Sequence, residues 1–129
     1  MNMLKIACGT DIIEVARIEK SIANTNGRFI KEIYTEKEIE YCESKGQSKY
    51  EHYAARFAAK EAIFKAISQF LQNKYDVSWQ NVQIINSEKG RPYIEFINTE
   101  FSQIKSIDIS LSHIKEYAIA NVALLYEPY

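Results

Sequence analysis

The chain has 129 residues, 47% hydrophobic and 26% charged, which describes a single globular domain over residues 1–129 with a real core. A formal net charge of −1 excludes a generally basic chain, so bulk binding to nucleic acid is not expected and any anion site has to be local. Cys8 and Cys42 have no metal-type spacing and read as reduced thiols; with no apolar leader and no run fit to span a membrane, the sequence predicts a cytoplasmic protein.

Met3 to Thr10 reads as a short strand that ends at Gly9, where the backbone can turn sharply. Asp11 follows, either as a helix N-cap or as a metal ligand. Ala16 to Ala23 is helical in pattern, carries Arg17 and Lys20 on one face, and stops at Asn24-Thr25-Asn26-Gly27. Arg28 to Tyr34 is a second helical piece. Thr35 and Glu38 have the form of a capping box opening a helix from Glu36 to Ser44, which ends at Gly46. Charge changes sign here: Arg17, Lys20, Arg28 and Lys31 stand against the lone Glu19, whereas Glu32 to Glu43 is glutamate-rich. That asymmetry suggests a basic docking edge for an acidic partner.

Ser48 and Glu51 form a second capping-box pattern, predicted to open a long central helix that runs to about Leu71. Within it, Ala58, Ala59, Ala62, Ala66 and Ile63 cluster on one side, and Arg56, Lys60, Glu61 and Lys65 occupy the other half. Phe57 and Phe64 lie among these charges, which places part of that half in a cleft rather than in open water. One carboxylate and three cations on such a face suit a metal and a phosphate ester. Gln72 to Asp76 is a polar connection. Val82 to Ser87 and Pro92 to Ile97 are predicted hairpin strands around Glu88-Lys89-Gly90-Arg91. Thr99 to Lys105 is a crossover, Ile107 to Ser112 an alternating half-buried strand with His113 at its end, and Tyr117 to Tyr126 a central antiparallel strand. The fold class is α+β: N-terminal helices with a long central helix packed on an antiparallel β-sheet.

Five blocks, in order and over nearly the whole chain, carry a resemblance: Gly9 to Glu14 with Arg17-Ile18; Tyr34 to Glu38; Arg56 to Ala62 with Lys65-Ala66; Gly90 to Tyr93; and Ser110 to His113 with Glu116-Tyr117-Ala118. Together they resemble the holo-[acyl-carrier-protein] synthase family. The resemblance implies a 4′-phosphopantetheinyl transferase of fatty acid biosynthesis, moving phosphopantetheine from coenzyme A to a serine of apo acyl carrier protein and releasing adenosine 3′,5′-bisphosphate. It also implies Mg2+ and a homotrimer with active sites between subunits. Asp11 and Glu61 match the family's metal-binding acids, and Lys65 matches the lysine beside the pyrophosphate. Lys60, Arg91, Pro92 and His113, with Arg56, match the coenzyme-binding region, and Arg17, Lys20 and Arg28 fall where the carrier protein docks. The resemblance leaves two acceptors open for the serine proton, Glu61 or a metal-bound water.

Two departures stand out. The family usually has a glycine-containing turn after the central helix, whereas Ser68 to Tyr75 has none, and Thr10 stands where an aliphatic residue is common. The first bears on the shape of the coenzyme pocket and is the best support for a non-catalytic module that binds coenzyme A or a carrier protein. The retained pair Asp11 and Glu61 argues against that alternative, since binding alone does not require two metal acids.

Overall fold

A computed structural model describes residues 3–73 and 76–128. The elements are β1 (Lys5–Glu14), α1 (Val15–Ala23), α2 (Arg28–Ile33), α3 (Glu36–Glu43), α4 (Lys49–Ile67), β2 (Val82–Asn86), β3 (Pro92–Phe96), β4 (Ile104–His113) and β5 (Tyr117–Tyr126). β1, β5 and β4 form an antiparallel sheet in that order, and β2 with β3 forms a separate hairpin. The α+β class and the central place of β5 are as the sequence predicts. Lys74 and Tyr75, part of the expected polar connection, lie outside the described residues.

α4 organises the core. Ala54, Ala55, Ala58, Ala59, Ala62 and Ala66 are all buried, so the sheet approaches the helix backbone closely. Around it lie Ile63, Ile67, Val82, Ile84, Val122 and Leu124 on one side and Tyr34, Tyr53 and Cys42 on the other. Phe57 and Phe64 pack on Trp79, with ring centroids 5.3 and 5.1 Å apart.

Several boundaries differ from the sequence expectation. β1 does not end at Gly9 but continues to Glu14, because Gly9 serves a close approach to α4 rather than a turn. Asp11 is therefore a strand residue and caps nothing. The cap of α1 is Glu14, whose side chain makes no capping bond. The Thr35–Glu38 capping box is present as read: the Thr35 amide donates to Glu38 Oε1 at 2.8 Å. The Ser48–Glu51 box is not. Ser48 sits in a 3-10 turn over Gly46–Ser48 and its hydroxyl donates to the Lys45 carbonyl, while Glu51 is engaged by His113. α4 ends at Ile67 rather than near Leu71, passing into a 3-10 turn over Ser68–Phe70.

Candidate active site

The site begins with a missing side chain. A Cβ on Gly9 would lie 1.9 Å from the Ala62 carbonyl oxygen, so only glycine lets β1 lie against α4 at this level. Side chains alternate along a strand, so Asp11, two residues on, shares the inward face of Gly9. On α4, Glu61 precedes Ala62 and Lys65 follows one turn after Glu61. Packing Gly9 on Ala62 thus carries Asp11 to the helix turn that bears both residues. Lys65 Nζ donates to Asp11 Oδ1 at 3.1 Å and to the Thr10 carbonyl at 2.8 Å.

Glu61 is half-buried in this cluster. Its carboxyl is pushed up from the ordinary value, first by burial and next by the negative charge of Asp11, with Lys65 opposing. Two partly exposed carboxylates that repel one another are a fitting place for a divalent cation. Among the described residues no group of three or more His, Cys, Asp and Glu side chains gathers around one point. A two-carboxylate site suits magnesium, which binds through one or two acids and completes its shell with water and substrate phosphate oxygens.

Lys60 is in a different place from the one expected. It is 0% exposed, and its ammonium donates to Glu38 at 2.8 Å and to the Ile33 and Trp79 carbonyls at 2.6 and 3.0 Å. All three donors are used, so Lys60 does not meet a nucleotide; it ties α4 to α3 and to the segment before β2. Glu38 is equally committed, accepting from the Thr35 amide at 2.8 Å and the Ile84 amide at 2.7 Å. The reason is that α4 is enclosed on nearly all sides, leaving Lys60 no route to water.

Arg56 is 2% exposed, stacks over Tyr41 at 4.0 Å, and donates from one terminal nitrogen to Asn86. Its Nε has no partner among the described residues. With Lys37, Tyr41 and Asn86 it lines a cleft of about 450 Å³.

His113 ends β4, where Nδ1 lies 2.9 Å from Glu51 Oε1. His52 packs edge-on against it, centroids 4.8 Å apart, and against Tyr41 at 5.5 Å. Arg91 is exposed and paired with Asp108 of β4 at 2.7 Å, and Pro92 opens β3. β5 separates β1 from β4, so within one chain Asp11 and the Arg91 partner Asp108 stand on opposite sides of the central strand. Arg17, Lys20, Arg28 and Lys31 are exposed on α1 and α2, the first two beside a shallow cleft with Glu19. Ser68 and Leu71, from the glycine-free segment, help line a cavity of about 610 Å³ with Phe64, Val77 and Trp79. Sequence reasoning missed Glu38 and Glu51 as partners because both fit capping patterns, and nothing local marks a second, tertiary use.

Residues 7–122 match the family described as the 4′-phosphopantetheinyl transferase superfamily. The chain belongs to that family. Among curated members, a protein of Ruminiclostridium cellulolyticum named holo-[acyl-carrier-protein] synthase is 39% identical over 122 residues, covering 91% of this chain and 90% of the relative. The protein of the same name from Chloroherpeton thalassium is 41% identical over 118 residues, covering 90% and 94%. Among solved structures, the holo-(acyl-carrier-protein) synthase of Bacillus anthracis in complex with CoA (3′,5′-ADP) is 33% identical, covers 98% of this chain and 100% of that one, and has a TM-score of 0.78. The phosphopantetheinyl transferase fold accordingly extends over the described residues, β1 and β5 included.

Proposed function

We propose that this chain transfers the 4′-phosphopantetheine group of coenzyme A to a serine of apo acyl carrier protein, giving holo carrier and adenosine 3′,5′-bisphosphate in support of fatty acid biosynthesis. The observation that carries this reading is the convergence of Asp11, Glu61 and Lys65 at the Gly9–Ala62 contact. Family membership and the names of the relatives supply the substrates.

In the reaction the serine oxygen forms a bond to the β-phosphorus while the bond to the bridging oxygen of the nucleotide breaks. Asp11 and Glu61 would hold a magnesium ion, which supplies charge neutralisation on the pyrophosphate when bound. Lys65, anchored to strand β1 through the Thr10 carbonyl, sets its cation at the same point and stabilises negative charge on the departing nucleotide phosphate. Glu61, half-buried beside Asp11, is the chain's own side chain proposed to take the serine proton.

Arg56, Arg91, Pro92 and His113 remain the residues proposed for the coenzyme, and Arg17, Lys20 and Arg28 those proposed for the acidic carrier. An association of three copies is supported by the outer face of the β1-β5-β4 sheet, where Ile6, Ile12, Tyr117 and Leu125 are exposed. In register, Ile6 faces Leu125 and Ile12 faces Ile119, which puts an apolar pair at each end of this face with the hydrogen-bonded Thr10–Asn121 pair between them. Sites between subunits also account for Asp11 and the Arg91 partner Asp108 standing on opposite sides of the central strand within one chain. No helix among the described residues is long and apolar enough to cross a membrane, and cytoplasmic placement follows from the proposed substrates. The reading is tested by incubating the protein with magnesium, coenzyme A and an apo carrier and then weighing the carrier. A gain of one phosphopantetheinyl group supports it; an unchanged carrier mass contradicts it.

A further inference from the structure

The His113 ring has neighbours that the reaction scheme leaves unused. Glu51 belongs to the first turn of α4 and His113 to the last position of β4, 62 residues apart in the chain, yet Glu51 Oε1 lies 2.9 Å from His113 Nδ1. Glu51 is half-buried and His113 lies at the surface, their side chains 24% and 30% exposed, so one edge of the ring is open to a ligand. His52, the next residue on α4, closes the other side of the ring at 64° between planes. His52 in turn rests on Tyr41, and Tyr41 carries the Arg56 guanidinium on its face. A row of planar groups therefore runs from His113 to Arg56, and both ends belong to the residues proposed for the coenzyme.

Each member of the row has a definite duty. A carboxylate on Nδ1 holds a proton on that nitrogen and leaves Nε2 as the ring atom for a ligand, which donates to a phosphate oxygen when the ring carries its second proton there. His113 Nε2 makes no hydrogen bond among the described residues. His52 is held neutral, its value lowered to about 4 by burial first and by His113, Arg56 and Lys45 next, with Glu51 opposing. It thus spaces His113 from Arg56 without adding a positive charge of its own between them.

We propose that Glu51 is a positioning residue that orients His113 toward the 3′-phosphate of coenzyme A, with His52 as the wall that stops the ring from turning. The inference rests on the proposed transfer reaction and on His113 meeting the nucleotide end. It adds a residue whose effect is confined to donors carrying that phosphate.

The test compares coenzyme A with 3′-dephospho-coenzyme A as donors for wild type, Glu51→Ala, Glu51→Gln and His113→Ala. Glu51→Ala should raise KM for coenzyme A by roughly three- to tenfold, more than it changes kcat, and leave KM for the dephospho donor nearly unchanged. Glu51→Gln keeps an acceptor oxygen for Nδ1 and should recover most of the preference. Imidazole 15N shifts provide a readout without turnover: His113 Nδ1 should carry a proton in wild type and Glu51→Gln and be only partly protonated in Glu51→Ala. The positioning role is overturned if His113→Ala abolishes the donor preference while Glu51→Ala keeps it. It is likewise overturned if Glu51→Ala weakens both donors equally, if Glu51→Gln behaves like Glu51→Ala, or if the 15N shifts agree in all three proteins. A His113→Ala variant that still prefers coenzyme A removes the premise that His113 meets the phosphate, and the inference with it, while leaving the transfer reaction standing.

Discussion

Gly9 and the Ala62 carbonyl are in such close approach that a Cβ on Gly9 would stand 1.9 Å from the oxygen and 3.1 Å from the Ala66 amide nitrogen. Both obstacles are helix backbone, so neither can swing aside as the tip of a flexible side chain would. Gly9→Ala must therefore push β1 away from α4. We expect a stability loss of about 3 kcal/mol or more by urea unfolding, together with loss of transfer activity, because Asp11 moves with the strand. Unfolding midpoints and activity equal to wild type would show that the contact is looser than the structure has it.

The buried pair Lys60–Glu38 predicts an asymmetry between breaking it and replacing it. Lys60→Met leaves the Glu38 carboxylate uncompensated in a site with no exposure and should cost about 3–5 kcal/mol. Glu38→Gln combined with Lys60→Met removes both charges, and the double variant should recover roughly 1 kcal/mol or more relative to the summed single effects. Denaturant unfolding of the four proteins measures the coupling. Strict additivity would mean that the ion pair is not what holds α3 to α4.

How far the sequence revealed the molecule depends on whether a residue's use is local. The Thr35–Glu38 box, β5 and the Ala-rich face of α4 follow from patterns within a few residues, and each is found as read. Asp11, Glu61 and Lys65 were identified by family motifs, while what joins them, a backbone contact at Gly9, has no local signature. Ser48 and Glu51 show the converse: the spacing of a capping box is present, but the Glu51 side chain is drawn to a histidine 62 positions away. Lys60 and Arg56 have helical positions that place them with the other charges, and their burial depends on α3 and β2, which no periodicity of α4 reports.

Carrier docking makes a prediction about salt. Arg17 and Lys20 are exposed on α1, and attraction between exposed charges weakens as the Debye length shrinks from about 10 Å at 0.1 M to about 3 Å at 1 M. Carrier KM should rise across that series before coenzyme KM does. Arg17→Glu should raise carrier KM already at low salt, mainly by slowing association. Identical carrier KM and salt slope in both proteins would place the docking surface elsewhere.

Assembly is checked on the outer sheet face. Light scattering at micromolar concentration should return three times the chain mass for wild type and less for Ile6→Glu, which puts a charge into the exposed apolar surface. A monomeric wild type would contradict the trimer and with it sites shared between subunits.

The central claim is that Asp11 and Glu61 form the metal-dependent site of transfer, and the mass of the carrier reads it directly. Apo carrier and coenzyme A are incubated with wild type, Asp11→Ala or Glu61→Ala, each with magnesium and with a chelator, and the carrier is weighed. Circular dichroism on the same samples establishes that each variant remains folded. Wild type with magnesium should add one phosphopantetheinyl group; wild type with chelator and both folded variants should leave the carrier unmodified. Near-normal modification by either variant, or by wild type in chelator, would contradict the account.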